Sequence, residues 1–280
     1  METMKKIQGQ GAISIRDVTK IYDPAGTRVM AMKECSFEIE SGEFAVIVGP
    51  SGCGKTTLLN AIAGFDTITS GEISLDGEII SSRQKQIKPN VDRMVVFQNG
   101  ALFPWKTVLE NIIYGPVVQG SLNKSQATET AMDMLVQLGL HGIESKYPGE
   151  LSSGVQRRVE ILRALINKPR VVMLDEPFRG LDAVAKTVMH EFLIAIYCAS
   201  PRTMFFITHD LDEAIFLGTK VIIMTTRPAQ VKKIVPVNLP WPREHHMKGS
   251  SAYLELKREV LEAVHEEAKK AFAAGEREMT

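Results

Sequence analysis

The chain has 280 residues with 33 Lys plus Arg against 33 Asp plus Glu, 44% hydrophobic and 24% charged, the make-up of a globular protein of one or two lobes. Zero formal net charge argues against a protein held to nucleic acid by bulk electrostatics, and no local basic patch stands out, so no nucleic-acid partner is expected. No apolar run approaches the roughly 18 residues of a membrane-spanning helix, and the start METMKKIQGQ lacks the apolar core of a secretory leader, so the chain is expected to stay in the cytosol.

Taken in chain order, Ala12 to Ile21 and Cys35 to Ile39 alternate apolar with polar residues, as strands wet on one face do. Phe44 to Val48 is apolar throughout, as a strand buried on both faces is, and a helical stretch, Thr57 to Ala63, follows it. Ile73 to Leu75, Asp76-Gly77 and Ile79-Ile80 read as a hairpin. Between about 101 and 166 the composition turns helical, with Ala131, Met134, Leu135 and Leu138 at helical spacing and Asn167-Lys168-Pro169 closing the stretch. This predicts an inserted helical lobe. Val171 to Leu174, Met204 to Ile207 and Val221 to Met224 are again wholly apolar, and with Phe44 to Val48 they predict four strands of a largely parallel central sheet. Residues 226–250 hold four prolines and little periodicity, which reads as a loop. Leu254, Val260, Leu261, Val264, Ala268 and Phe272 then predict the apolar stripe of an amphipathic helix packed on the rest of the chain. Cys35, Cys53 and Cys198 are widely spaced and odd in number, so reduced thiols are expected rather than a disulfide framework or a zinc site.

Gly49-Pro50-Ser51-Gly52-Cys53-Gly54-Lys55-Thr56 fits G-x-x-x-x-G-K-[ST] between a buried strand and a helix, the context that the motif requires. Backbone amides from Gly49, Ser51, Gly52, Cys53 and Gly54 can curl round phosphate oxygens, and the helix adds its positive N-terminal end. Lys55 is expected to neutralise the β and γ phosphates, Thr56 to offer its hydroxyl to Mg²⁺, and Thr57 to make a further phosphate contact. Such a cradle fits kinases, GTPases and ATPases alike. The strand Val171 to Leu174 ends in Asp175-Glu176, two carboxylates at the carboxyl end of a buried strand. Asp175 is the expected Mg²⁺ partner, and Glu176 the group that polarises the attacking water.

With these residues the chain resembles the nucleotide-binding subunits of ATP-binding-cassette (ABC) transporters, over about Ile13 to Thr226. The resemblance extends to a glutamine loop at Gln98, a signature at Leu151 to Arg158, Asp182 in the D-loop, His209 after a strand, and Tyr22 as an adenine-stacking aromatic. It implies an α/β P-loop NTPase fold with an antiparallel β subdomain and an inserted helical subdomain, residues 1–250 as the ATPase domain and 251–280 as a C-terminal helix and tail. It implies that Gln98 binds Mg²⁺ or water and that His209 bonds the γ-phosphate and steadies Glu176. The signature departs from the usual Leu-Ser-Gly-Gly-Gln: it reads Leu151-Ser152-Ser153-Gly154-Val155, and Arg179-Gly180 stands where the D-loop commonly has a small pair. Ser152, Ser153 and Gly154 would face the γ-phosphate of an opposite subunit.

The resemblance also implies a dimer, of identical or closely homologous ATPase subunits, around two MgATP, lying peripherally on the cytoplasmic face of the cell membrane. Its partners would be integral membrane permease subunits and, indirectly, a periplasmic or extracellular solute-binding protein. Gln98 to Trp105, Thr226 to Gln230 and Leu239 to Arg243 look like importers of nitrate, taurine, alkanesulfonates and bicarbonate, with Phe103, Pro104 and Trp105 where a membrane subunit would dock. The competing reading is an ABC ATPase that acts on nucleic acid or ribosomes.

Overall fold

The computed structural model describes residues 10–23 and 26–273. Strands β1 (Ile13–Tyr22), β2 (Val29–Ile39), β4 (Ser70–Leu75) and β5 (Glu78–Ser82) form an antiparallel sheet in the order β2-β1-β4-β5. Asp76 and Gly77, both at positive φ (52° and 81°), make the tight turn of its hairpin. Strands β3 (Phe44–Val48), β6 (Arg93–Val96), β7 (Val171–Asp175), β8 (Thr203–Ile207), β9 (Lys220–Met224) and β10 (Val231–Pro236) form the second sheet, ordered β10-β9-β3-β8-β7-β6. Its five strands other than β10 run parallel.

The wholly apolar runs are explained by what lies on each side of this sheet. Phe44, Val46, Val48, Val172, Leu174, Met204, Phe206, Val221 and Ile223 enter one core. The intervening Ala45, Ile47, Val171, Met173, Phe205, Ile207, Ile222 and Met224 enter the other. The period of two survives, with both faces dry. Helix α1 (Lys55–Ala63) and the antiparallel sheet supply the second core, while α4 (Ser153–Leu165), α5 (Ala183–Ala199), α6 (Leu211–Leu217) and α7 (Ser251–Ala273) help to build the first.

Helices α2 (Val108–Val118) and α3 (Lys124–Gln137) precede α4 between β6 and β7. Each of the two starts at a capping box, Thr107 with Glu110 and Asn123 with Gln126, which satisfies amides that the first turn leaves unpaired. The wholly buried Asn111 ties the preceding loop to α2, accepting from the Phe103 N–H and donating to carbonyls of Phe103, Lys106 and Thr107.

Two expectations are corrected. Residues 226–250 are not all loop: Val231–Pro236 pairs antiparallel with β9 as an edge strand. Its Val, Ile and Val favour the extended chain, and Lys232 and Lys233 on an edge discourage further pairing. The buried face of α7 also differs from the predicted stripe. Tyr253, Val260, Ala263, Glu267 and Ala271 are buried, whereas Leu254, Leu261 and Phe272 are 53%, 50% and 85% exposed. Counting apolar residues missed a tyrosine and a glutamate that are buried because their polar atoms find partners on α6, β10 and the turn before it. The tail beyond Ala273 lies outside the described residues. Cys35, Cys53 and Cys198 are free thiols, the first two buried.

Candidate nucleotide site

Parallel pairing of β6, β7, β8 and β3 puts the carboxyl ends of four strands on one edge: Asp175 ends β7 and Glu176 follows it, Gln98 and His209 come two residues past β6 and β8, and the turn leading to Lys55 and Thr56 leaves β3. The glycine-rich turn leaves β3 and enters α1. Gly52 and Gly54 have φ of +72° and +119°, where a side chain is strained, and a Cβ on Gly54 would stand 3.0 Å from the Ala31 carbonyl oxygen. Lys55 is buried, its Nζ donating to the Gly49 and Pro50 carbonyls at 2.8 and 2.9 Å. An ammonium therefore sits under the turn rather than in solvent. Cys53 is buried beside it, and burial pushes its thiol above the usual range; its backbone N–H turns in to the Pro50 carbonyl at 3.3 Å.

Thr56 Oγ1 donates to Asp175 Oδ2 at 3.0 Å, joining residues 119 apart in sequence. Burial raises the Asp175 carboxyl above its ordinary value, Thr56 opposes that, Glu176 adds to it, and Lys55 opposes it again. A hydroxyl and a carboxylate in contact, with an ammonium and a second carboxylate close by, are the hard oxygen donors that suit Mg²⁺. Gln98, two residues past β6, donates from Nε2 to Glu176 Oε2 at 3.3 Å, and His209 Nδ1, past β8, lies 3.4 Å from Glu176 Oε1. Glu176 itself is at φ +43°, an uncommon conformation for a non-glycine residue and the kind of local strain that accompanies functional sites. Arg179 Nη1 approaches Glu176 Oε2 at 3.6 Å, so the unusual D-loop arginine shares the carboxylate.

The remaining predicted residues stand further out. Tyr22 hydroxyl donates to Asp66 Oδ2 at 2.7 Å, and Lys20 Nζ lies 4.6 Å above its ring. Burial, and then its bond to Asp66, raise the Tyr22 phenol, while Thr57 lowers it, which puts the tyrosine beside the first turn of α1. Asp182 caps α5, accepting from the Val184 and Ala185 amides at 2.9 Å. Ser152 is the N-cap of α4 without a side-chain capping bond, and Ser153 opens the helix. Among the described residues no hydrogen bond or ion pair joins Ser152, Ser153 or Gly154 to the glycine-rich turn. A Cβ on Gly154 would meet only Ala185, at 3.8 Å, so this chain by itself does not require glycine there.

Sequence reasoning missed the residues that hold the Gln98 segment. Arg157 donates to the carbonyls of Phe97 and Gln98 and to Glu160, each at 2.6 Å. Glu160 accepts from the Ala101 N–H at 2.7 Å, and Arg163 donates to the Ala101 carbonyl at 2.8 Å. The three residues at i, i+3 and i+6 share a helix face, a readable signal, but their partners are backbone atoms 59 to 62 residues away.

The family described as ABC transporter matches residues 32–179. An uncharacterized ABC transporter ATP-binding protein of Methanocaldococcus jannaschii is 39% identical over 97% of this chain and 98% of its own length. The aliphatic sulfonates import ATP-binding protein of Bacillus cereus is 38% identical over 89% of this chain and 94% of its own, and the nitrate import ATP-binding protein of Synechocystis 40% over 83% and 85%. A dimeric ATP-binding cassette, solved after hydrolysis with ADP and Pi, superposes with a TM-score of 0.69 at 28% identity, covering 81% of this chain and all of that one.

Proposed function

Because the chain belongs to the ABC transporter family and is an ATPase coupled to transport, we propose that it powers uptake of a small solute, as the energising subunit of an importer on the cytoplasmic face of the membrane. It would act as a dimer around two MgATP, with separate permease subunits and, indirectly, a solute-binding protein. A small anion of the sulfonate, taurine, nitrate or bicarbonate kind is the proposed cargo, by likeness to relatives named for sulfonate and nitrate import.

The observation that carries the reading is the convergence on Glu176. Its carboxylate is held by Gln98 and His209 at 3.3 and 3.4 Å, next to the Thr56–Asp175 pair and the Lys55 ammonium. Mg²⁺, when held by Thr56, Asp175 and Gln98, supplies positive charge to the phosphate oxygens. The chain's own residues do the rest. Amides of Gly49 and of Ser51 to Thr57 cradle the phosphates, Lys55 neutralises their charge, and Glu176 orients the attacking water. His209 holds Glu176 in place and bonds the γ-phosphate, and Tyr22 lies against the adenine. Ser152, Ser153, Gly154 and Asp182 are proposed to complete the site of the partner subunit.

Glu176→Gln tests this assignment. It removes the carboxylate and spares Asp175, so nucleotide binding should persist while turnover of the complex falls by about 100-fold or more, the usual share of a positioned base, and a dimer should accumulate with ATP by size-exclusion chromatography. Undiminished turnover overturns the role of Glu176. The same variant, isolated from detergent-solubilised membranes, should bring down a polytopic permease; recovery with ribosomal or nucleic-acid partners alone overturns the transport reading.

A further inference from the structure

Helix α7 has no part in the nucleotide site, yet it carries a buried carboxylate. Glu267 is 1% exposed and accepts from the Thr226 N–H at 3.1 Å, from Lys270 at 2.7 Å and from Lys232 at 3.1 Å. Burial alone would raise this carboxyl, but the bonds from Lys270, Lys232 and Thr226 outweigh it and hold it below the usual range. Thr226 lies in the turn between β9 and β10. Within that turn Thr225 and Gln230 exchange hydrogen bonds, Thr225 Oγ1 donates to the Pro228 carbonyl, and Ala229 pairs with β2 through the Ala31 carbonyl and the Lys33 N–H.

The turn ends at the phosphate loop. Arg227 Nη2 donates to the Gly52 carbonyl at 2.7 Å, and Ala229 lies under Gly54, where a Cβ would stand 3.3 Å from the Ala229 Cβ. The carbonyl that Arg227 holds belongs to the peptide whose nitrogen is the Cys53 N–H. A charge-assisted bond to a carbonyl oxygen polarises the whole peptide, making the amide at its other end, which closes the turn on the Pro50 carbonyl at 3.3 Å, a better donor there or to a phosphate. It also resists rotation of that peptide in a turn whose Gly52 is already left-handed.

We infer that Arg227 is a positioning residue for nucleotide binding, orienting and polarising the Gly52–Cys53 peptide of the phosphate loop, and that Glu267 of α7 sets its position through Thr226. The inference rests on reading residues 49–56 as the nucleotide cradle. It makes α7 a handle on nucleotide affinity: whatever moves the helix moves Arg227. Lys55 acts on the phosphates from inside the loop, Arg227 on the loop from outside.

The test is titration of the full chain with the fluorescent nucleotide mant-ADP and Mg²⁺, beside thermal melts without nucleotide. Arg227→Ala should weaken mant-ADP binding on the order of tenfold, the factor carried by one hydrogen bond to a charged group, without lowering the melting temperature. Arg227→Lys, which keeps a donor, should recover most of the loss. Glu267→Ala should weaken binding in the same direction, and with Arg227→Ala already present it should add nothing, because both act through one contact. Glu267→Gln keeps an acceptor for Thr226, so it reports on the same contact if the alanine variant folds poorly, and its affinity should stay within about twofold of wild type. In turnover, Arg227→Ala should raise KM for ATP and leave kcat within about twofold. Unchanged mant-ADP affinity in Arg227→Ala, or losses that add in the double variant, overturn the inference while the cradle reading stands. A wild-type chain that fails to bind mant-ADP overturns both.

Discussion

Glu176 is shared among three partners, since Gln98, His209 and Arg179 all lie within 3.6 Å of its oxygens, and a bound water would take up the rest of its acceptor capacity. The Arg179 side chain is 57% exposed, so its pairing is weak and yields at little cost. Ser153, with Val155, is a departure from the family pattern in the signature. It is exposed at the first position of α4 and makes no side-chain hydrogen bond among the described residues. On the proposed dimer, its added Cβ and hydroxyl would act against the other subunit. Ser153→Gly should leave ATP turnover of the assembled complex equal to wild type or raise it a few-fold, read as kcat/KM. A large fall in steady-state turnover would give the serine hydroxyl a role of its own.

At the scale of elements, α4 holds the Gln98 segment through Arg157, within the Leu151 to Arg158 stretch, and through Glu160 just beyond it. Arg157 and Glu160 are 9% and 5% exposed and pair at 2.6 Å, while their remaining atoms serve backbone groups of Phe97, Gln98 and Ala101. Helix α4 and the Gln98 segment should therefore move together, which ties the signature of one subunit to the Glu176 partner of the same subunit. Arg157→Ala leaves Glu160 charged and buried beside two carbonyls without donors, and it should cost about 3–5 kcal/mol in denaturant unfolding. The Arg157→Ala, Glu160→Ala pair should lose less than the sum of the single changes, because it removes the stranded charge. Strict additivity in that cycle would show that the ion pair carries no coupling.

At the scale of the molecule, His190 on α5 makes folding sensitive to acid. It is 5% exposed among Phe178, Phe216 and His245, and neither ring nitrogen has a hydrogen-bond partner among the described residues. Burial, with Lys248 and His245 adding to it, pushes the imidazole down to about 4 from 6.5. A depressed histidine is neutral in the folded chain and takes up a proton on unfolding, so stability is full above about pH 6.5 and is lost as pH falls toward 4. A shift from 6.5 to about 4 corresponds to a loss of up to about 3 kcal/mol. Asp175 and Glu213, both raised by burial first of all, act in the opposite sense, so the difference between wild type and variant isolates the histidine. In urea unfolding His190→Leu should remove this part of the pH dependence, and a wild-type curve parallel to that of the variant from pH 7 to 4.5 would exclude it.

The phosphate loop, the Asp175-Glu176 pair and the buried strands were legible in sequence because each is local: a motif of eight residues, a dipeptide ending an apolar run, an unbroken apolar run where both faces of a strand are dry. Gln98 and His209 were legible only through family likeness, since a lone amide or imidazole carries no local signal. Three features were decided by tertiary structure. The face of α7 was set by polar partners for Tyr253 and Glu267 that lie on other elements, and β10 by an open edge on β9. The Arg157 and Arg227 contacts end on backbone carbonyls, and every residue has a carbonyl. Side-chain chemistry can be read along a chain, but which carbonyl a guanidinium meets is known only once the chain has folded.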